Sequence, residues 1–346
     1  MSSTAHKPRL PATPRRRAPN TWRRSWGGWL SLAPGGLLLV AAAVGVLAKL
    51  IATTWLPAVV VAAFAPYLMV GAPLSALTSL VLRTRRRLAA ALVVTVAAGA
   101  LELPLYVAVD ASSKGRSLTL LTANLRHGTA DAGALVDLVR AQHVDVLTVQ
   151  ELTSGEVARL RAAGLGGLLS EHAVHPGASP WGVGLWSRYP ILRRSQDPRF
   201  GLGLISACLD MGPGSGEKLT VLAAHILAPI ADGPSRWARE LRQLGGVLDT
   251  QPTDTVLVGG DFNATDDHAQ FRRLLSNGYH DAAEEAGAGV IRSYPADAPY
   301  PPLIGIDHVL ARGARAITVR TVPIPGSDHR GLIAQLDIEQ PEKSHR

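Results

Sequence analysis

Three short acidic stretches near the C-terminus contain residue types that could carry out hydrolytic chemistry. Each follows an apolar run, and they comprise residues 259–263 (GGDFN), 306–309 (IDHV) and 326–329 (GSDH). Further upstream, Asn124 and Glu151 end two apolar runs in the same way. Carboxylates, amides and imidazoles that collect at strand ends can hold a hard cation beside a general base. The expected chemistry is therefore hydrolysis of a phosphate ester.

Each acidic or amide residue also has a simpler explanation when it is taken alone. Glu151 is either an oxygen ligand for a cation such as Mg²⁺ or an acidic residue near the start of the next helix. Asp261 and Asn263 project to the same side of an extended chain, but Asp-x-Asn also forms turns. In the hydrolytic interpretation, the Asp261 carboxylate orients an attacking water and the Asn263 amide donates to a phosphoryl oxygen.

Two histidines are candidates for work on the reacting phosphate. Adjacent residues of a strand point apart, so Asp307 rather than Asp328 is expected to orient His329. A carboxylate in that position selects the histidine tautomer and stabilises its cation. His225 ends another apolar run, and it either contacts a phosphoryl or leaving oxygen or is a core histidine satisfied by the backbone.

The hydrophobic pattern of residues 117–338 predicts the elements that position these side chains. The predicted strands are 117–124, 144–151, 183–187, 203–209, 218–225, 255–259, 306–311, 316–322 and 331–337, and the predicted helices are 131–142, 154–163, 234–248 and 267–276. The strands outnumber the helices and do not alternate strictly with them. The pattern favours mixed or antiparallel sheets packed together with helices outside over a doubly wound parallel sheet.

Taken in order, these motifs resemble the endonuclease/exonuclease/phosphatase superfamily, which includes deoxyribonuclease I, abasic-site endonucleases, sphingomyelinases and inositol-phosphate phosphatases. The resemblance covers roughly residues 117–338 and includes the segment 182–191 (GVGLWSRYPI). It implies an α/β (α+β) four-layer sandwich, in which two central mixed sheets are flanked by helices. The site is expected at one end of the sheets.

The resemblance also implies a metal-dependent reaction. Glu151 would hold a divalent ion, Mg²⁺ or Mn²⁺, with Asn124 and Asp328 in the same metal region. Asn263 and Arg188 are the candidates for substrate binding, although the Ser-Arg-Tyr-Pro segment around Arg188 also suits a turn. The implied reaction is in-line attack of water on phosphorus without a covalent intermediate, so that positioning and charge neutralisation provide the catalysis.

The remaining implied roles are catalytic. Asp261 and Asn263 would position water and phosphate. His329, oriented by Asp307, would act as a base or stabilise charge in the transition state. His225 matches the mid-chain histidine of the family, which contacts the phosphate or assists the leaving group.

The first third of the chain has a different composition from the rest. Residues 30–109 contain a single acidic residue, Glu102, which we expect at interfacial depth. Three apolar spans, 30–50, 55–82 and 88–109, each reach the ~20 residues that a membrane-crossing helix needs. Basic clusters precede the first span and separate the second from the third, and the positive-inside rule places both in the cytoplasm.

These features predict a multi-pass protein of the cell membrane with an extracytoplasmic catalytic domain. The expected order is a basic disordered tail (1–28), a transmembrane region (29–110), a linker (111–116), the catalytic domain (117–338) and a C-terminal tail (339–346). A cleavable signal peptide is disfavoured because the apolar region is too long and interrupted. Two spans, with one stretch re-entrant or interfacial, would reverse the orientation.

Charge bears on the partners of the catalytic domain. Residues 1–116 contain 14 Lys/Arg and 2 Asp/Glu, whereas residues 117–346 contain 21 Lys/Arg and 25 Asp/Glu. The net negative second part argues against a broad phosphate-binding surface of the kind that sequence-independent duplex-binding proteins use. The substrate remains open between a nucleic acid and a phospholipid or small phosphodiester, and the lipid bilayer is the expected partner of the N-terminal helices. The sequence indicates no protein partner.

Several residues have both a functional and a structural interpretation. Trp181, Trp186 and residues 300–303 either contact a lipid near the site or belong to the core. Cys208 is the single cysteine, so an intrachain disulfide is excluded and a buried, inert thiol is expected. A non-catalytic membrane-tethered binding or sensor module on the same fold is the alternative function. Retention of the acidic and histidine motifs argues against it.

Overall fold

The structure is a computed structural model that describes residues 25–109, 115–178, 180–212 and 218–338. The predicted N-terminal tail up to residue 24, residues 111–114 of the predicted linker and the predicted C-terminal tail 339–346 lie outside the described residues.

The N-terminal part of the described chain is helical. Its helices are α1 (Ser25–Leu50), α2 (Leu56–Ala63), α3 (Ala65–Met69), α4 (Gly71–Val81) and α5 (Arg85–Glu102), and a 3₁₀ turn follows at Leu103–Tyr106. The chain bends by 70° between α2 and the helical stretch 65–81. The break precedes Pro66, which has no amide hydrogen to offer the carbonyl four residues earlier. Small residues let α1 and α4 approach closely, since a Cβ on Gly71 would overlap the Leu38 carbonyl.

Apolar helices coincide with the three predicted spans. Among the described residues, one continuous stretch, 85–106, has the length and apolar composition of a membrane span. The bent pair 56–63 and 65–81 qualifies only when both arms count as one span, and residues 34–50 form a shorter apolar helix. Three complete crossings therefore remain a prediction.

The rest of the described chain forms two mixed sheets with helices on their outer faces. The strands are β1 (Arg116–Asn124), β2 (Val146–Gln150), β3 (Glu171–His175), β4 (Val183–Ser187), β5 (Ile191–Gln196), β6 (Leu204–Asp210), β7 (Lys218–His225), β8 (Thr255–Asp261), β9 (His280–Asp281), β10 (Asp307–Arg312), β11 (Ala314–Pro323) and β12 (Arg330–Ile338). The helices are α6 (Ala132–Ala141), α7 (Ser154–Ala162), α8 (Pro234–Asp249), α9 (Ala269–Arg272) and α10 (Ala282–Glu285). One six-stranded sheet has the order β11-β12-β1-β2-β4-β3, and the other has the order β5-β6-β7-β8-β10-β9.

Three apolar cores hold these layers together. Leu120 and Leu257 belong to the core between the sheets, Leu135 of α6 to the core on the outside of the first sheet, and Trp237 of α8 to the core on the outside of the second. Burial on both faces of each sheet makes four layers, which confirms the predicted sandwich of two mixed sheets flanked by helices. Cys208 is buried and unpaired, as expected.

Edge elements differ most from the prediction. Strands β3, β5 and β9 were not predicted, and each is an edge strand of its sheet. Residues 192–196 of β5 are exposed and lack apolar alternation, so the sequence carries no strand signal there. The predicted helix 267–276 is shortened to α9, because residues 265–268 form a turn in which the His268 side chain accepts the Thr265 N–H.

The strand register explains why the polar residues meet. Parallel pairing aligns Asn124 of β1 with Gln150 of β2, the residue before Glu151. In the second sheet, Asp261 of β8 is aligned with His225 of β7 on one side and with Asp307 of β10 on the other. The ends of both sheets therefore deliver their polar side chains to the same edge of the sandwich.

His308 follows Asp307, but its side chain is buried in the core and does not reach this edge. Its Nδ1 lies 2.7 Å from Asp281 Oδ2, and its Nε2 lies 2.8 Å from the carbonyl oxygen of Ala264. Both ring nitrogens face acceptors, so the cationic imidazole satisfies both contacts. Burial opposes that charge, but the Asp281 carboxylate outweighs it and raises the pKa of His308.

We expect Asp281→Asn to destabilise the protein by roughly 3–5 kcal/mol, because it leaves a buried cation without its counterion. The folded pKa of His308 is raised, so the contribution of the pair is complete below about pH 6.5 and is lost as the pH rises through the folded pKa. Thermal unfolding should therefore show a difference in melting temperature between wild type and Asp281→Asn that shrinks at alkaline pH. Asp137→Asn, at an exposed position, is the control, and equal melting temperatures of all three proteins at acidic pH would contradict the assignment.

Candidate active site

All the predicted site residues except Arg188 converge at one end of the sandwich, where a cleft of about 590 Å³ opens. The members of the predicted set that line it are Glu151, His225, Asp261, Asn263, Asp328 and His329. Asn124 and Asp307 stand behind them, each within hydrogen-bonding distance of a residue that faces the cleft.

A buried acid–imidazole cluster forms the floor of the cleft. His329 Nδ1 lies 2.8 Å from Asp307 Oδ2, and His329 Nε2 lies 3.7 Å from Asp261 Oδ2. His225 Nε2 approaches the same Asp261 oxygen to 3.7 Å. The loop before His329 is held by Ser327, whose Oγ accepts the His329 N–H at 3.0 Å and donates to the Asn124 carbonyl at 2.7 Å.

The cluster separates the protonation states of its two histidines. Burial opposes the charge on His329, but the carboxylates of Asp307 and Asp261 outweigh it and raise the pKa of His329 to about 10. Burial, reinforced by the neighbouring His329, lowers the pKa of His225 to about 3. Burial and the Asp307 charge raise the pKa of Asp261 to about 7, against the lowering effect of His329. At neutral pH the site therefore holds a cationic His329 and a neutral His225.

Glu151 also lines the cleft, and Asn124 links it to the acid–imidazole cluster. Its carboxylate accepts hydrogen bonds from Asn124 Nδ2 at 3.2 Å and from the His127 N–H at 2.7 Å. His127 Nδ1 lies 2.8 Å from the same carboxylate. The Glu151 side chain is 14% exposed, so it faces the cleft while its orientation is fixed.

Left-handed backbone conformations surround the cleft. The φ angles are 41° at Arg126, 56° at His127, 57° at Glu151 and 47° at Asn263. For residues other than glycine, such conformations cost on the order of 1–3 kcal/mol and concentrate at functional sites. The local chain is thus held in a less favourable conformation where the polar side chains enter the cleft.

Asn124 joins the two carboxylates. Its Nδ2 donates to Glu151 at 3.2 Å and to Asp261 Oδ2 at 3.1 Å, while its Oδ1 accepts the Arg126 N–H at 2.9 Å. The Arg126 N–H requires an oxygen as its partner, and this fixes the amide orientation. Asn124 therefore positions the carboxylates in this geometry, whereas the sequence interpretation placed it among the metal residues.

Asp328 lines the cleft but contacts neither the Glu151 nor the Asp261 carboxylate. Its carboxylate lies 4.0 Å from Arg126 Nε, and its backbone carbonyl accepts the Ala296 N–H at 2.7 Å. Asn263 stands beside Asp261, where its N–H donates to Asp261 Oδ1 at 2.8 Å and its Nδ2 donates to the Ile226 carbonyl at 2.9 Å. Asn263 thereby aims the second Asp261 oxygen at the two histidines.

The donor set fits a divalent cation on the Glu151 side of the cleft. Ligand-type atoms of Asp261, Asp307 and His329 lie within 4.8 Å of one another. However, His329 shares its proton with Asp307, and a cationic imidazole does not ligate metal. The Glu151 carboxylate is oriented, faces the cleft and offers the oxygen atoms that hard cations prefer. Glu151 is the better candidate for a cation ligand, with Asp261 within reach of the same Asn124 amide.

Arg188, predicted to bind substrate, does not lie at the cleft. β4 runs antiparallel to β2, so Val183 is aligned with Gln150 at the cleft end and Ser187 with Val146 at the far end. Arg188 follows Ser187 and forms an ion pair with Asp145, with 3.3 Å between Nε and Oδ1. It lies at the end of the sheet away from the cleft.

The aromatic candidates divide between surface and core. Trp181 lines the cleft and is 57% exposed, whereas Trp186 is buried in the core of the first sheet. Tyr300 lines a separate cavity of about 510 Å³.

Two residues at the cleft, His127 and Tyr294, were not predicted from the sequence. His127 contacts Glu151, and the ring of Tyr294 lies 4.9 Å from that of His329. The closeness of His127 to Asn124 along the chain was the one available signal for His127. Tyr294 belongs to a long connection before β10, where no pattern marked it.

Asp307→Asn is expected to lower the pKa of His329 from about 10 toward or below its ordinary value near 6.5, because the largest favourable charge is removed. Nuclear magnetic resonance of the His329 ring, recorded with chelator present, reports this titration directly. Asp249→Asn, an exposed substitution away from the cleft, should leave it unchanged. Identical titration curves for wild type and Asp307→Asn would show that Asp307 does not control the imidazole.

Comparisons with known proteins identify the family of the sandwich domain. The model of the family described as "Endonuclease/Exonuclease/phosphatase family" matches residues 121–329. No curated protein sequence matches the chain at a significant level.

Solved structures share the fold at low sequence identity. D. rerio TDP2 complexed with a single-strand DNA product has a TM-score of 0.55 at 18% identity, over 64% of this chain and 99% of that one. An endonuclease/exonuclease/phosphatase from Bacteroides vulgatus has a TM-score of 0.54 at 16% identity, over 65% and 100% of the two chains. One from Beutenbergia cavernae has a TM-score of 0.53 at 19% identity, over 65% and 72%. At these identities the likeness shows the fold alone.

Proposed function

The chain belongs to the endonuclease/exonuclease/phosphatase family, and from this premise we propose that it is a membrane-anchored, divalent-metal-dependent phosphodiesterase. The single observation that carries the proposal is the buried cluster of Asp261, Asp307 and His329 facing the oriented carboxylate of Glu151. Four distant segments of the chain contribute to this arrangement. Neutralising and positioning a phosphate is the chemistry that it suits.

Glu151 would hold the cation, Mg²⁺ or Mn²⁺, and Asn124 would keep the carboxylates of Glu151 and Asp261 oriented toward it. When bound, such an ion polarises a phosphoryl oxygen and lowers the pKa of a coordinated water. Asp328 lines the same cleft and adds negative charge to it.

The protein's own residues supply the remaining steps. Asp261, whose pKa is raised to about 7, is partly ionised at neutral pH and accepts the proton of the attacking water. The His329 cation, paired with Asp307, stabilises the charge that develops on the phosphoryl oxygens. His225 is neutral and donates a hydrogen bond to the phosphate or the leaving oxygen, and the Asn263 amide contributes to phosphate binding.

We further propose that the protein is a multi-pass membrane protein with its catalytic domain, 117–338, outside the cytoplasm. The apolar helices within 29–110 and the basic residues Arg83, Arg85, Arg86 and Arg87 between the second and third predicted spans support this orientation. Protease protection in intact cells would test it. Cleavage of the catalytic domain from outside is expected, and full protection would indicate two crossings.

The substrate is a phosphate ester, and a nucleic acid and a lipid are the two candidates. The DNA complex of the similarly folded TDP2 supports a nucleic acid. The excess of acidic residues in 117–346 supports a lipid or another small phosphodiester.

The test is a substrate panel for the full chain reconstituted in lipid nanodiscs. The panel comprises an aryl phosphodiester, an aryl phosphomonoester, single- and double-stranded DNA, RNA and phospholipid, each with Mg²⁺, Mn²⁺ or chelator. We expect turnover of a phosphodiester with metal and none with chelator. Metal binding without hydrolysis of any substrate would instead support the non-catalytic binding or sensor module.

A further inference from the structure

Helix α2 and the break after it form one wall of the active-site cleft. Val59, Val60, Ala63 and Phe64 line this wall, although they lie far from the catalytic residues along the chain. Ile230 lines the same cleft and is 74% exposed. The cleft therefore has a polar floor and apolar sides.

The catalytic domain holds this wall in place by side-chain contacts to backbone carbonyls. His268 Nδ1 accepts the Thr265 N–H at 2.9 Å, so its Nε2 carries the hydrogen that is donated to the Val59 carbonyl at 2.9 Å. Gln270 Nε2 donates to the Thr53 carbonyl at 2.5 Å. Two residues of one short segment, His268 and Gln270, thus bind α2 and the loop before it.

A buried ion cluster adds to this attachment. Lys49 Nζ, at the end of α1, lies 2.8 Å from Asp267 Oδ1 and 2.8 Å from Glu102 Oε1. Glu102, expected to lie at interfacial depth, is thereby paired with a neighbouring helix. The apolar wall is consequently a fixed part of the cleft.

The charge of the cleft opposes a polyanion. Among the described residues that line it there is no Lys or Arg, whereas Glu151, Asp232, Asp261 and Asp328 are acidic. Arg126, whose Nε lies 4.0 Å from the carboxylate of Asp328, lines a separate cavity and pairs with Asp297, with 2.9 Å between Nη2 and Oδ2. A nucleic acid would bring further phosphates on either side of the scissile one, and nucleic-acid binding depends on cations that neutralise them.

We propose that the substrate is an amphiphilic phosphodiester with one phosphate and a hydrocarbon chain that lies between α2 and Ile230. This inference rests on the proposed function and specifies its substrate class. The phosphate occupies the floor beside Asp261 and His329, and the chain covers Val60 and Phe64. Because α2 belongs to the apolar N-terminal helices, a chain on this wall is continuous with the region that we propose to be in the bilayer.

The test uses a series of alkyl p-nitrophenyl phosphates with methyl, butyl, octyl and dodecyl chains, assayed below their critical micelle concentrations. In the reaction, a bond forms between a water oxygen and phosphorus, the bond to p-nitrophenolate breaks, and alkyl phosphate and a proton are released. For the full chain in nanodiscs, kcat/KM should rise by up to about fourfold per added methylene until the apolar wall is covered.

Substitutions distinguish binding of the hydrocarbon chain to this wall from simple partition of the substrate into the bilayer. The double variant Val60→Ser/Ile230→Ser is expected to flatten the dependence on chain length, whereas Leu192→Ser should retain it. Leu192 is 52% exposed on β5 and does not line the cleft, so it is a matched surface control.

Three outcomes would overturn the inference. A dependence on chain length that survives in the double variant would place the chain elsewhere. A higher kcat/KM for a single-stranded oligonucleotide than for the dodecyl ester would favour nucleic acid while leaving phosphodiester hydrolysis intact. Failure to hydrolyse any ester of the series or the oligonucleotide would overturn the proposed function itself.

Discussion

Replacing His329 by alanine is expected to lower kcat for phosphodiester hydrolysis by about 10³-fold, with a smaller effect on KM. His329 is the cation of the buried cluster, and its charge is maintained by Asp307 at 2.8 Å and Asp261 at 3.7 Å. Developing negative charge on the phosphoryl oxygens would lose this partner chiefly in the transition state. A loss in kcat with little change in KM is the signature of such an interaction.

His329→Gln guards against a folding artefact in this experiment. Glutamine can still donate a hydrogen bond to Asp307 but carries no charge, so a comparable loss in kcat is expected from a protein that remains folded. His280→Ala, at an exposed position of β9, should retain full activity. Activity within a few-fold of wild type in both His329 variants would remove the imidazolium from the mechanism.

Glu151→Gln is expected to weaken divalent-metal binding by at least about 100-fold, because a hard cation loses an anionic ligand. Glutamine can retain the hydrogen bond from the His127 N–H, so the loop that carries it should stay in place. Electron paramagnetic resonance of Mn²⁺ measures the affinity of the full chain without requiring turnover. Hydrolysis should fall in parallel at low metal concentration.

Glu171→Gln provides the matched control for metal binding. Glu171 begins β3 and is aligned with Ser187, at the end of the first sheet away from the cleft. Its substitution should leave the Mn²⁺ affinity unchanged. An unchanged affinity in Glu151→Gln would move the cation site to another group, with the Asp261 and Asp307 carboxylates as the next candidates.

Most of the candidate site could be predicted from the sequence because each polar residue ends an apolar run. Asn124, His225 and Asp261 lie at strand ends, and parallel pairing brings such ends to one edge of the sandwich. Arg188 was misplaced because its segment also follows a strand, and a sequence does not show which end of an antiparallel strand reaches the site. The direction in which a strand runs within its sheet is set by tertiary structure.

The apolar wall of the cleft could not have been predicted from any local pattern. Val59 and Phe64 belong to a uniformly apolar helical region, in which every residue is a plausible lipid contact. Their place beside the catalytic residues depends on hydrogen bonds from His268 and Gln270 to backbone carbonyls, which side-chain patterns do not encode. Edge strand β5 was not predicted for a related reason, since its exposed residues 192–196 do not alternate between apolar and polar.

The measurement that tests the account most directly is hydrolysis of an aryl phosphodiester by the full chain and by Asp261→Asn, each with Mg²⁺ and with excess chelator. Asp261 touches Asn124 and both histidines, so it connects the cation side of the cleft to the imidazole side. We predict metal-dependent turnover by wild type alone. Turnover that persists with chelator and in Asp261→Asn would place the chemistry outside this cleft and contradict the account.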